Sequence, residues 1–327
     1  MDKTVHFFFV ILLLLGFVGP ADALDVIYPE DGTYFTGSSF LIVKCGDNPV
    51  VEGVTVEING LKSGLLDISS PEYKAAFADF LILEAGFSVG ENNIKVESFV
   101  NGKQVAKASA NVFYLDDPYA IPPNEYRPYI MHTPPKESLC SPCHNMQPSS
   151  SQITATSADK NPCGECHSRM LNKKYVHGPA GVFKCIECHD PVSKPSKYKV
   201  VAQGADVCNG CHVGKVKEFQ NNKFVHGPVA VGMCEVCHDS HASDYRGQLH
   251  GEVNAVCLNC HEGLNVNMHF TTGVGKGHPV AGYPDPSQSG RQLSCVSCHN
   301  PHGGASRVFF DKTVTSAMMI CQRCHKK

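Results

Sequence analysis

The chain has 327 residues, of which 18% are charged, with 17 Cys, 17 His and no Trp. That charge content lies below the roughly 25% usual in soluble domains, and the length suggests about two domains. A formal net charge of −3 argues against a polyanion-binding arm or an acidic disordered chain. The composition also excludes collagen, a coiled coil and a disulfide mini-scaffold, so the cysteines serve something other than packing.

Taken in chain order, Met1–His6 is a short head carrying Lys3, followed by the apolar run 7–19 and then Pro20-Ala21-Asp22-Ala23. This order predicts a secretory signal peptide over residues 1–23, cleaved after Ala23. A membrane anchor is disfavoured because the run falls short of the roughly 20 residues that span a bilayer. No Cys stands at the cleavage site and no second apolar stretch of spanning length follows. The mature chain is therefore expected to be exported, periplasmic or extracellular at the cell surface, with no transmembrane segment.

Residues 24–117 read as strands. Phe40–Lys44, Val54–Ile58, Ile94–Val100 and Val105–Leu115 are rich in β-branched and aromatic side chains. Asn59-Gly60 and Asn101-Gly102 signal hairpin turns, because Asn-Gly supplies the positive φ of a type I′ turn. The expected fold is an all-β sandwich. Cys45 adjoins a strand and reads as an inert thiol, with intermolecular pairing the alternative. Prolines at 118, 122, 123, 128, 134 and 135 predict a stiff connector over 118–136. Charge changes sign across it, from 14 acidic against 6 basic residues over 24–120 to 15 against 21 over 121–327.

From residue 137 onward the chain repeats. Cys-x-x-Cys-His occurs eight times, through Cys140/Cys143, Cys163/Cys166, Cys185/Cys188, Cys208/Cys211, Cys234/Cys237, Cys257/Cys260, Cys295/Cys298 and Cys321/Cys324. The histidine that closes each motif is His144, His167, His189, His212, His238, His261, His299 or His325. Two intervening residues set two sulfurs about one helical turn apart, ready for thioether bonds to the vinyl groups of one porphyrin. The adjacent His then binds iron. Zinc ribbons, iron–sulfur clusters and a disulfide framework also use paired cysteines, but none needs a histidine after every pair. The expected cofactors are eight covalently attached c-type haems.

Outside the motifs and His6, eight histidines remain: His132, His177, His226, His241, His250, His269, His278 and His302. Their number equals the number of irons, so they are candidate distal ligands, with His132 contributed from the connector. His132, His177 and His226 each stand eight residues before a motif, and His250 stands seven before Cys257. His241 and His302 each follow a motif histidine by three residues, and His269 and His278 lie in the long gap before Cys295. Spacing alone cannot assign a distal histidine to a given iron. Methionine competes as a ligand and raises the potential. Met131, Met146, Met170, Met233, Met268, Met318 and Met319 are available, but at most one methionine-ligated iron is expected. Closed irons suit electron transfer, and no catalytic residue is assigned.

His132-Thr-Pro, His177-Gly-Pro, His226-Gly-Pro and His278-Pro each open a block of two motifs. On these blocks, residues 130–327 resemble multihaem c-type cytochromes of the doubled Cys-x-x-Cys-His kind, here with eight motifs. Cys-His-Asn-Met at 143–146 and Cys-His-Asp-Pro at 188–191 depart from the family's Cys-His-x-x-His. Residues 25–115 resemble bacterial immunoglobulin-like domains, through Tyr28-Pro29-Glu30-Asp31-Gly32-Thr33-Tyr34, the Val-x-Val-x-x-Asn-Gly at 54–60 and Gly90–Val96. That likeness implies a spacer or adhesion module.

About 25 residues per haem are too few to build an ordinary core around each, so the haems are expected to be the core of 137–327, within short helices and loops. The resemblance implies an electron carrier or wire between respiratory donors and an external or periplasmic acceptor. Its expected partners are other redox proteins, such as cytochromes, quinol-linked donors or terminal reductases. Self-association into a filament or an outer-membrane conduit is a further option, and nucleic acid is excluded. The alternative is a multihaem oxidoreductase that reduces a nitrogen or sulfur oxyanion at one open haem. The cluster Lys173, Lys174, Lys194, Lys197, Lys199, Lys215, Lys217 and Lys223 reads equally as haem-propionate pairing, an acidic-partner surface or plain solvated charge.

Overall fold

The computed structural model describes residues 24–37, 40–47, 49–116, 120–267, 269–271, 277–310, 313–314 and 316–325. The expected signal peptide and Met268 lie outside the described residues. The chain divides into two compact units, Met1–Ile130 and Met131–Lys327. Among the described residues, no helix is long and apolar enough to cross a membrane.

The first unit holds two sheets. Strands β1 (Asp25–Tyr28), β3 (Phe40–Lys44) and β7 (Phe80–Glu84) form one, in the order β1-β3-β7. The other is built from β2 (Thr33–Thr36), β4 (Gly53–Ile58), β5 (Leu61–Lys62), β6 (Leu66–Asp67), β8 (Gly90–Val100), β9 (Lys103–Leu115) and β10 (Arg127–Pro128). Its order is β10-β2-β9-β8-β4-β5, with β6 also on β4. Helix α1 (Pro71–Phe77) precedes β7, and Ser70 caps it by accepting from the Tyr73 N–H.

Alternation along the strands makes the core. Every second residue of β8 from Asn92 to Ser98 is buried, as period-two geometry requires. Leu41 and Val43 of one sheet share an apolar cluster with Val54, Val56, Ile94, Val96 and Val112 of the other. Each such side chain contributes about 1.5–3 kcal/mol by leaving water. Both Asn-Gly pairs take the predicted turn, with positive φ at Asn59, Gly60, Asn101 and Gly102. Cys45 is buried at the end of β3, and burial pushes its thiol up to about 11, so it stays protonated and unreactive.

The connector differs from the stiff tether expected over 118–136. Arg127–Pro128 adds to β2 as a parallel strand, and Arg127 pairs with Glu30 at 2.7 Å. The Tyr129 ring stands 4.6 Å from that of Tyr28. Beyond the boundary, Pro134 and Pro135 open helix α2 (Pro134–Cys140), where proline's missing N–H is harmless.

The second unit has little regular structure. Its longest helix, α3 (Ala205–Gln220), carries the fourth motif and leaves helical geometry at His212. Otherwise it holds short helices, three-residue helical turns and two-residue strand pairs. Two of these pairs tie neighbouring blocks together: Tyr175–Val176 with Ala242–Ser243, and Phe224–Val225 with Gly303–Gly304.

Candidate haem-binding array

Each motif is a single helical turn. The histidine N–H donates to the first cysteine's carbonyl in His144 (2.9 Å), His238 (3.2 Å), His261 (3.0 Å), His299 (3.0 Å) and His325 (2.8 Å). That turn puts both thiols on one side with the imidazole beside them. The opening motifs at Cys185, Cys234 and Cys295 use three-residue turns, whereas Cys163, Cys208, Cys257 and Cys321 lie in helices.

Thiol contacts give the order of the motifs in space. Burial raises the Cys140, Cys188, Cys237 and Cys298 thiols, and in each the next largest influence is a cysteine of the following motif: Cys166, Cys211, Cys260 or Cys324. Cys163 hydrogen-bonds Cys185, and Cys257 hydrogen-bonds Cys295; each bond lowers the second thiol to about 7 and raises the first. Cys208 is raised to about 11 by burial and then by Cys234 beside it. Thiol hydrogen bonds join three of the seven junctions and through-space influence between thiols links the other four, so each motif lies near the next one along the chain.

The spare histidines face motif histidines from elsewhere in the chain. Ring centres are 6.1 Å apart for His132–His167, His177–His212, His189–His241 and His278–His325. They are 6.0 Å apart for His226–His261 and His269–His299, and 6.2 Å for His238–His302. Ring planes lie within about 21° of parallel in four pairs, from His177–His212 to His238–His302. They are near perpendicular, at 83° and 89°, in the two pairs of the last block.

Seven motif histidines are thus matched, against the eight expected. The eighth, His144, stacks on no imidazole among the described residues, and its Nδ1 lies 3.3 Å from Glu165 Oε2. His250 turns its Nε2 to the Glu235 carbonyl at 2.8 Å.

Hydrogen bonds at Nδ1 orient the other rings. Nδ1–H donates to backbone carbonyls from His177 (Ser240, 2.9 Å), His189 (Tyr198, 2.9 Å), His226 (Pro301, 2.9 Å), His238 (Gly247, 2.6 Å), His278 (Pro279, 2.9 Å) and His299 (Val308, 2.6 Å). An anchored Nδ1–H fixes the tautomer and leaves the Nε2 lone pair for a metal. His132 uses a carboxylate instead: Glu137 Oε1 stands 3.2 Å from its Nδ1, and the other oxygen accepts from Lys197 Nζ at 2.7 Å. Glu137 is buried. The sequence carried no signal for Glu137, Glu165 or the carbonyl acceptors, because each is recruited by proximity alone.

Some clustered lysines are already engaged within the chain. Lys173 pairs with Asp244 at 3.1 Å, Lys197 with Glu137, and Lys215 with Glu218 at 2.9 Å. The methionines Met170, Met233, Met318 and Met319 expose much of their side chains.

Residues 177–217, 226–265 and 286–327 match the family described as the doubled CXXCH motif. Each segment spans two motifs. These paired regions indicate covalently bound c-type haem. They support a multihaem c-type cytochrome, and such motifs suggest electron transfer. No curated protein matches the chain. Among solved structures, the β-glucuronidases of Parabacteroides merdae and Bacteroides uniformis (its β-glucuronidase 3) each show a TM-score of 0.24 and 14% identity. The match covers 30% of this chain and 12% of each of those enzymes, a likeness too slight to carry an argument.

The residues present fit haem. A metal–imidazole bond is about 2 Å and a ring centre lies roughly 1 Å from its nitrogen, so rings about 6 Å apart leave room for one iron between them. Each pair supplies two donors on opposite sides. No group of three or more His, Cys, Asp or Glu is placed to hold a bare metal ion among the described residues. A porphyrin brings the four equatorial nitrogens itself.

Proposed function

We propose that the exported, mature chain carries eight covalent haems and conducts electrons along them between respiratory donors and an external or periplasmic acceptor. Bound haem supplies reversible one-electron exchange at its iron. The sixteen motif cysteines hold the porphyrins by thioether bonds, and the eight motif histidines are the proximal ligands. His132, His177, His241, His226, His302, His269 and His278 are the distal ligands opposite His167, His212, His189, His261, His238, His299 and His325. Backbone carbonyls hold His177, His226 and His278, and Glu137 holds His132, in the tautomer that presents Nε2. Paired imidazoles close both faces of an iron, which favours electron transfer over substrate chemistry.

The observation that carries this reading is the uninterrupted order of the motifs, each near enough for its thiols to influence those of the next. Neighbouring groups held on such a line can exchange electrons along its whole length. The two-sheet unit serves as an immunoglobulin-like spacer that presents the array to other redox proteins, or to further copies of the chain in a filament or an outer-membrane conduit. Intact mass of the protein recovered from the producing cell tests the proposal. The expected value is a chain beginning at Leu24 plus eight haems; a colourless protein, or one carrying fewer haems, overturns it.

A further inference from the structure

The imidazole pairs obey a rule that spacing alone did not reveal. Each opening histidine faces the second motif of its own block: His132 faces His167, His177 faces His212, His226 faces His261 and His278 faces His325. The histidine three places after a block's first motif faces the first motif of the preceding block. Thus His241 faces His189, and His302 faces His238. The last block has no successor, and His269 takes its first motif, at His299.

For the first block, the rule calls on the residue three places after His189. That residue is Val192. Its loop is docked on the first block through Lys197. The Lys197 N–H donates to the His132 carbonyl at 3.0 Å, and Lys197 Nζ reaches Glu137 and the Met146 carbonyl, at 2.7 and 3.2 Å. At the corresponding sequence position this segment carries an isopropyl group, 78% exposed, where its counterparts carry imidazole. On the proximal side, Glu165 anchors His144 Nδ1 as the carbonyls anchor the other rings, leaving Nε2 for iron. The His144 side chain is 47% exposed.

We infer that the haem attached at Cys140 and Cys143 has one imidazole only, from His144, and that its other face binds small exogenous ligands of iron such as carbon monoxide, nitric oxide or nitrite. This rests on the haem reading above, and the two can fail separately. The first haem would then be both the terminus of the wire and its one site open to a ligand.

The test is a carbon monoxide titration of the reduced holoprotein whose haem content is known from intact mass. One carbon monoxide per chain is expected. Val192→His supplies the missing imidazole and is expected to abolish binding, with all irons low-spin. His250→Ala is expected to leave binding at one, and removal of Cys140 and Cys143 to reduce it to none. A fully haem-loaded wild type that binds no carbon monoxide overturns the inference, as does one showing a methionine–iron band that Met146→Leu removes. Retention of binding by Val192→His, or by the chain without Cys140 and Cys143, overturns it as well. A short haem count overturns the haem reading itself.

Discussion

At the scale of single residues, His226 shows how a ligand is separated from the motif beside it. It stands eight positions before Cys234, yet its ring faces His261, and its Nδ1–H is held by the Pro301 carbonyl. Two segments of the chain therefore converge on one imidazole, one to anchor it and one to set a second imidazole opposite it. His226→Ala is expected to open the iron at Cys257–Cys260, adding one carbon monoxide equivalent to the reduced protein. In a chain already lacking Cys257 and Cys260, the same substitution is expected to add none. If it still adds one, His226 serves a different motif.

Glu137 is the other instructive residue. A buried carboxylate is tolerated only with partners, and it has two in His132 and Lys197. Lys197, read from the sequence as one of a surface cluster, instead holds this carboxylate in place.

At the scale of elements, the short strand pairs act as clasps. Phe224–Val225 pairs with Gly303–Gly304, and the adjoining residues His226 and His302 are delivered to their partners by that pairing. The clasp explains a glycine. Gly303 has φ +133°, and a Cβ there would stand 2.5 Å from the Phe224 carbonyl oxygen. Gly303→Ala is expected to force the two segments apart at a cost of about 1–3 kcal/mol. Thermal denaturation of the mature holoprotein should show the lowered midpoint, and loss of low-spin absorbance should show that His302 has withdrawn from His238. An unchanged midpoint and spectrum would mean that the clasp does not position the ligand.

For the whole molecule, the decisive property is linearity. Because spatial order follows sequence order, an interior motif cannot be bypassed, whereas a terminal one can be lost with only a shortening of the array. Removing the fourth motif (Cys208→Ala with Cys211→Ala) should separate motifs one to three from five to eight. Conductance of protein films is expected to fall by at least an order of magnitude, while removal of the eighth motif (Cys321→Ala with Cys324→Ala) leaves most of it. Equal losses from the two variants would argue for branched contacts in place of a line. The two clasps reinforce that order, since they tie the second block to the third and the third to the fourth.

Much of this protein can be read along the chain wherever the chemistry is local. Two cysteines and a histidine within five residues need only one helical turn to come together, so all eight Cys-x-x-Cys-His motifs are legible as written. The strand alternation of residues 90–115 and the Asn-Gly turns are equally local, and their elements stand where the sequence predicts them. The connector was misread because proline content says nothing about which sheet edge lies nearby: Arg127–Pro128 joins β2 through a contact 94 positions distant, as in Arg127 with Thr33. The distal histidines were recognisable as a set but not as pairs. Their partners lie from 30 residues away (His269 to His299) to 64 (His238 to His302), and although three opening histidines stand 35 residues before their partners, local spacing gives no reason to choose that distance over another. Only the folded chain brings an imidazole from one block to a motif of another, and only the pairing rule seen there marks Val192 as the sequence position that lacks the corresponding histidine.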